Sequence, residues 1–169
     1  MRLRTFYSYP VFVSTQRAMP GGRADRDALP KGENGRCLCR WCSLEVPPGR
    51  LTFCSEWCVE EWRLRSNPGH LRDRVFHRDR GVCAVCGIDC VAEFRRLKKL
   101  RGAARVRAIT DWGLRGRKTL WDADHVLPVA EGGGECDLSN MRTLCLKCHR
   151  VHTAALQRRL KRTGRGVPA

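Results

Sequence analysis

Between Trp121 and His152 the chain reads WDADHVLPVAEGGGECDLSNMRTLCLKCHRVH. Asp124 and His125 are adjacent, Asn140 follows fifteen residues after His125, and Cys145, Cys148 and His149 form a Cys-x-x-Cys-His. Upstream, Cys83 and Cys86 make another Cys-x-x-Cys. Two such pairs can close one tetrahedral zinc site of four thiolates. Asp124, His125, Asn140 and His149 then have no duty in that zinc site. Carboxylate and imidazole groups are those that hold a divalent cation and take a proton from water beside it.

Residues of these types in this order resemble the HNH endonuclease family. Its pattern is Asp-His, then Asn, then His nine residues after the Asn, here Asp124-His125, Asn140 and His149. The resemblance covers Cys83 to about Leu160, interrupted by an insertion. It implies a ββα-metal core that hydrolyses DNA phosphodiester bonds. It assigns His125 as general base, which suits an imidazole of ordinary pKa about 6.5. Asp124 and His149 would hold a single divalent cation, Mg2+ or Mn2+, with Zn2+ or Ni2+ as substitutes. That cation would meet the scissile phosphate and the leaving 3′ oxygen. Asn140 would brace the loop that presents His125. Neighbours on a strand point to opposite faces. The strand must therefore end or bulge at Asp124-His125 for both to serve one site. Cys148 and His149 open a helix, where neighbours stand about 100° apart. One can face the zinc while the other faces the cation.

His152 lies three residues after His149, on the same helix face. Some family members carry a further metal-ligating His one residue later, where this chain has Thr153. His152 is either a ligand or a residue facing solvent or phosphate. His70 and His77 read as surface residues, Cys90 and Cys136 as bystanders, and Asp122 as an ordinary strand residue with a smaller prospect of supporting the site.

Eleven cysteines in 169 residues need an account. Disulfides of a secreted protein do not fit, because the cysteines are paired at two- and three-residue gaps and their number is odd. FYSYPVFV near the start is too short and too interrupted to be a leader, and no apolar run is long enough to span a membrane. The expectation is an intracellular, cytoplasmic protein stabilised by zinc. The net charge is +16. Lys and Arg concentrate in 91–118 and after 156, whereas 119–155 is the acidic stretch. A basic body around an acidic centre suits DNA as partner, with cations on the phosphates and carboxylates keeping the metal.

Four segments follow from this, in a small α+β zinc-stabilised protein. Residues 1–36, broken by Pro10, Pro20, Pro30 and several glycines, read as a disordered arm with at best an edge strand. Residues 37–66 read as a second zinc module holding Cys39, Cys42, Cys54 and Cys58, with Cys37 able to replace Cys39. Its second pair opens a helix capped by Ser55 and running to about Arg65. This module resembles one placed ahead of bacterial HNH domains and of the HNH domain of some vertebrate annealing helicases, which points toward branched DNA. Residues 67–160 form the HNH domain, and 161–169 a basic tail. Within the domain, a short helix buries Leu71, Val75 and Phe76 and exposes Arg72, Arg74, Arg78 and Arg80.

The insertion, 91–118, reads as one basic amphipathic helix over 91–109 and then a loop. Arg95, Arg96, Lys98, Lys99, Arg101 and Arg105 are its candidate phosphate contacts, and a solvated cover is the equal alternative. Residues 119–125 and 140–145 read as strands and 146–160 as the closing helix. For the whole chain, the alternative to an endonuclease is a non-catalytic zinc-stabilised nucleic-acid-binding module. The full set of Asp124, His125, Asn140 and His149 favours the enzyme.

Overall fold

The computed structural model describes residues 24–164. The expected arm is only partly within them. From Lys31 onward it folds onto the cysteine module: Lys31 bridges to Cys37, Leu38 N–H donates to the Pro30 carbonyl, and Asn34 Nδ2 donates to Glu45 Oε2 at 2.6 Å. Glu45 supplies the acceptor that turn-breaking residues alone do not reveal. An edge strand near Pro10 would lie outside the described residues.

Local capping chemistry sets the helix boundaries. α1 (Glu56–Ser66) starts where the Ser55 hydroxyl accepts from Cys58 N–H at 3.2 Å. α2 (Pro68–Asp79) has Asn67 as cap and Pro68 in the first turn, where a missing N–H costs nothing. α3 (Cys90–Lys99) is capped by Asp89, which accepts from Val91 and Ala92 N–H at 2.9 Å each. α4 (Gly102–Trp112) ends at Gly113 in the left-handed conformation.

The single basic helix expected over 91–109 is thus two. Leu100 and Arg101 are extended, and Gly102 has φ +51°, a value that favours glycine. The helical stripe through Phe94 and Leu97 belongs to α3, while Ala108 belongs to α4.

β1 (Trp121–His125) and β2 (Met141–Cys145) pair antiparallel, Trp121 opposite Cys145 and His125 opposite Met141. α5 (Leu146–Arg162) follows β2 at once. Cys145 Sγ accepts from Cys148 N–H at 3.4 Å, so one thiol both caps the helix and points at the cysteine cluster.

The hairpin rests on a core of Leu97, Trp112, Leu120, Trp121, Leu144 and Leu146. Fully burying a Leu stabilises by about 1.5–3 kcal/mol. Phe76 of α2 stacks on Trp121 with ring centroids 5.5 Å apart. A second core joins α1 and α2 to β2 through Leu64, Leu71, Val75, Cys136 and Met141.

Arg72, expected in solvent, is half-buried, whereas Arg78 is exposed as expected and still binds backbone. Arg72 lies over the Trp121 ring at 3.7 Å and donates to the Trp121 carbonyl and Thr119 hydroxyl. Arg78 donates to the carbonyls of Leu138 and Met141. The Trp121 ring and carbonyl draw Arg72 inward, since buried carbonyls need donors.

Candidate active site

β1 carries Asp122 and Asp124 on one face, as its two-residue period requires. α5, entering directly from β2, brings His149 and His152 to that face. Asp124 lies at the centre. His149 Nε2 is 3.6 Å from its Oδ1, His152 Nδ1 is 3.1 Å from its Oδ2, and Arg142 Nη2 reaches Oδ2 at 3.3 Å from the paired strand.

β1 ends at His125. Asp124, His125 and His152 line one cleft of about 260 Å³, closed by Pro128, Val129 and Leu156. Ending the strand lets sequence neighbours serve a shared space. His125 Nε2 is 2.9 Å from the Glu135 carbonyl oxygen. A carbonyl only accepts, so Nε2 carries the hydrogen and the neutral ring keeps its lone pair on Nδ1.

The loop from 126 to 140 is drawn together by Asn140. Its Oδ1 accepts from Leu127 N–H at 2.8 Å, and its Nδ2 donates to the carbonyls of Leu127 at 2.9 Å and Gly134 at 3.1 Å. Val126 N–H also donates to the Asn140 carbonyl at 2.7 Å. Gly133 passes so close that a Cβ there would collide with the Leu127 carbonyl and stand 2.9 Å from Asn140 Nδ2.

Asp122 is nearer to the site than an ordinary strand residue. Its Oδ2 is 3.0 Å from His149 Nδ1, and Arg117 Nη1 reaches both its oxygens at 2.9 and 3.0 Å. Burial alone would raise the Asp122 pKa, but the hydrogen bonds from His149 and Arg117 outweigh it and hold the carboxylate at about 2. The same hydrogen bond raises the His149 pKa against the effect of burial. Its place two residues before Asp124, on the same strand face, is the sequence signal for Asp122. Nothing local signals Arg117 or Arg142.

The two cysteine sets come together as their spacing requires. Cys39, Cys42, Cys54 and Cys58 form one group whose sulfurs lie within 4.8 Å of one another, and Cys83, Cys86, Cys145 and Cys148 form the other. Cys42 to Cys54 and Cys54 to Cys58 are 3.4 Å apart. Both sets could hold zinc. Cys37 stands outside, taking a hydrogen bond from Lys31 Nζ at 3.2 Å. Burial raises the Cys83 thiol, yet backbone N–H groups of Cys145, Cys86 and Val85 bring it down to about 6, toward the thiolate that a metal takes. Cys90 and Cys136 are core residues.

The candidate phosphate contacts differ among themselves. Arg96 is bound by Glu93 through two bonds of 2.7 Å, and Lys98 sits 4.6 Å over the Phe94 ring. Arg101 and Arg105 donate to the Lys98 carbonyl at 3.1 and 3.4 Å. Arg95 and Lys99 are exposed on α3. No helix of the described residues is long and apolar enough to cross a membrane.

Residues 113–154 match the HNH endonuclease family profile. The chain is 40% identical over 145 residues to the DNA annealing helicase and endonuclease ZRANB3 of Mus musculus, covering 72% of this chain and 14% of that protein. The Homo sapiens protein of the same name is 35% identical over 116 residues, 60% of this chain and 11% of the relative. The crystal structure of the human ZRANB3 HNH domain aligns with a TM-score of 0.49 and 30% identity, covering 60% of this chain and 98% of that one. The chain thus spans a small part of the curated relatives it matches.

Proposed function

We propose, from the premise that this chain belongs to the HNH endonuclease family, that it is a metal-dependent endonuclease hydrolysing DNA phosphodiester bonds. One observation carries the reading: Asp124 faces His149 at 3.6 Å and lines one cleft with His125, whose Nε2 hydrogen goes to the Glu135 carbonyl. His125 Nδ1 takes the proton of the attacking water. The Glu135 carbonyl holds the ring by its Nε2 hydrogen. Asn140 keeps the loop, and with it Glu135, at a fixed distance from β1.

Asp124 and His149 fit a divalent cation. A carboxylate oxygen and an imidazole nitrogen are hard and borderline donors, and their 3.6 Å separation is one that a single ion with bonds of about 2.0–2.2 Å can bridge. When bound, such an ion would supply charge to the scissile phosphate and leaving oxygen. Arg142 and His152 share Asp124 Oδ2, leaving Oδ1 toward His149. His152 stands as a partner of Asp124; a ligand role for it rests on the same face but not on a tight three-residue group among the described residues.

The matched relatives are named DNA annealing helicase and endonuclease, which supports DNA as the substrate class. The test is nicking of supercoiled plasmid by the zinc-loaded chain with Mg2+, Mn2+, Ni2+ or Zn2+. Cation-dependent conversion to open circle, absent in His125→Ala, supports the enzyme. DNA binding with no cleavage under any of these cations would instead make the chain a zinc-stabilised binding module.

A further inference from the structure

Two carboxylates share the metal-facing side of β1, and the family pattern uses only Asp124. Asp122 is mostly buried, with its side chain 17% exposed, and three cationic or imidazole groups converge on it. We propose that Asp122 is the positioning residue for His149: it fixes the hydrogen on Nδ1 and turns Nε2 toward Asp124. The proposal rests on the reading of His149 as a cation ligand.

An imidazole can bind a cation only through a nitrogen that carries no hydrogen. Both nitrogens of His149 face carboxylates, Nδ1 at 3.0 Å from Asp122 and Nε2 at 3.6 Å from Asp124. Only the first is a hydrogen-bond distance. The Nδ1–H tautomer is therefore selected, and the Nε2 lone pair is left pointing at Asp124. Without that hydrogen bond the ring torsion is broad and nearly two-fold, so the ring can turn and exchange tautomers at little cost.

Asp122 is itself held. Arg117 grips both of its oxygens, and Arg72 stands 3.6 Å away while stacked on Trp121 and bound to its carbonyl. The orientation of His149 is thus referred back to the hydrophobic core beneath the hairpin. Acidic groups beside metal-bound histidines act this way generally, by fixing tautomer and ring angle. The competing account is a purely structural ion pair, tying the turn at Arg117 to β1.

Cation affinity separates the two. Mn2+ binding to the zinc-loaded full chain, read by electron paramagnetic resonance of the free ion, requires no turnover. Loss of such an outer partner typically weakens metal binding by about 10–100-fold, and Asp122→Ala should fall in that range. Asp122→Asn keeps the shape and a weaker, neutral acceptor, and should lose several-fold. Zinc content and circular dichroism should stay at wild-type values. Nitrogen-15 NMR, at a pH where the imidazole is neutral, should show His149 as the Nδ1–H tautomer in wild type and a shift toward Nε2–H in Asp122→Ala. If His149→Ala loses Mn2+ affinity while Asp122→Ala keeps both affinity and tautomer, the positioning role is overturned and the ligand reading stands. If His149→Ala itself binds Mn2+ like wild type, the ligand reading fails and this proposal falls with it. Should Asp122→Ala shed zinc, Asp122→Asn decides the matter, and wild-type affinity and tautomer there overturn the proposal.

Discussion

His125 donates its Nε2 hydrogen to the Glu135 carbonyl at 2.9 Å, across the loop that Asn140 draws together. The backbone of one loop therefore decides which nitrogen of the ring is basic. Replacing His125 by Ala should reduce nicking by about 10²–10⁴-fold, the usual contribution of a general base. Zinc content and DNA affinity should hardly change, because His125 belongs to neither cysteine cluster. Single-turnover nicking beside a binding titration checks both halves, and full activity in His125→Ala would sink the mechanism.

The Asn140 clamp has a steric counterpart in Gly133. An added methyl there meets the Leu127 carbonyl and crowds Asn140 Nδ2, so Gly133→Ala must displace one of them. We expect Gly133→Ala and Asn140→Ala to share a phenotype: slower nicking with two zinc ions retained. Asn140→Ala removes three side-chain hydrogen bonds, each worth about 0.5–1.5 kcal/mol net. Thermal unfolding should fall accordingly. A Gly133→Ala protein with normal rate and melting temperature would show that the loop accommodates more than its geometry suggests.

Metal analysis of the purified, EDTA-washed chain should give close to two zinc ions, one for each four-cysteine group. Cys37→Ser should keep both, since Cys37 pairs with Lys31 outside the cluster. Cys39→Ser should lose one. Cys86→Ser should disturb more than its own site. Its cluster joins the turn after α2 to β2 and α5, so the hairpin loses its fastening to the helix that presents His149. A fold unchanged by removal of both ions would contradict a structural role for either.

Asp79 ties α2 to the hairpin. Its Oδ2 accepts from the N–H of Thr143, a residue with no solvent exposure, at 2.9 Å. Asp79→Ala leaves that donor buried and unsatisfied, at a cost of about 1–3 kcal/mol. Chemical denaturation at constant zinc should report the loss. Asp79→Asn, which keeps an acceptor, should lose less.

Much of this arrangement is legible in the sequence because it is written locally. Thiolate spacing names both cysteine groups, the apolar alternation around Trp121 names the strand, and Ser55 names its helix start. The Asp124–His149 pairing is legible only through the family pattern, since the two residues come from different elements. Other features are scarcely marked locally. The break at Leu100 and Arg101 has only Gly102 as its local mark, and the helical period of 91–109 conceals it. Arg72 looks solvent-facing by periodicity, yet the Trp121 carbonyl and ring claim it. Charge along a helix does not reveal which cations already have partners.

Those partners decide which cations can meet DNA. On α3, Arg96 is held by Glu93 and Lys98 lies over Phe94, whereas Arg95 and Lys99 are exposed and have no ion pair among the described residues. Phosphate contacts from this helix should therefore come mainly from Arg95 and Lys99. Each contact adds about 0.9 to the slope of log K against log salt on duplex DNA. Replacing both by Gln should flatten that slope by roughly two units. Arg96→Gln should change it less, because the pair with Glu93 must open before Arg96 can reach a phosphate. Turnover on saturated substrate should persist in the double variant, since neither residue touches Asp124, His125 or His149. Salt titrations of binding, followed by nicking at saturation, measure the two effects separately. An unchanged slope would make α3 a solvated cover and move the DNA contact to α4 or the basic end of α5.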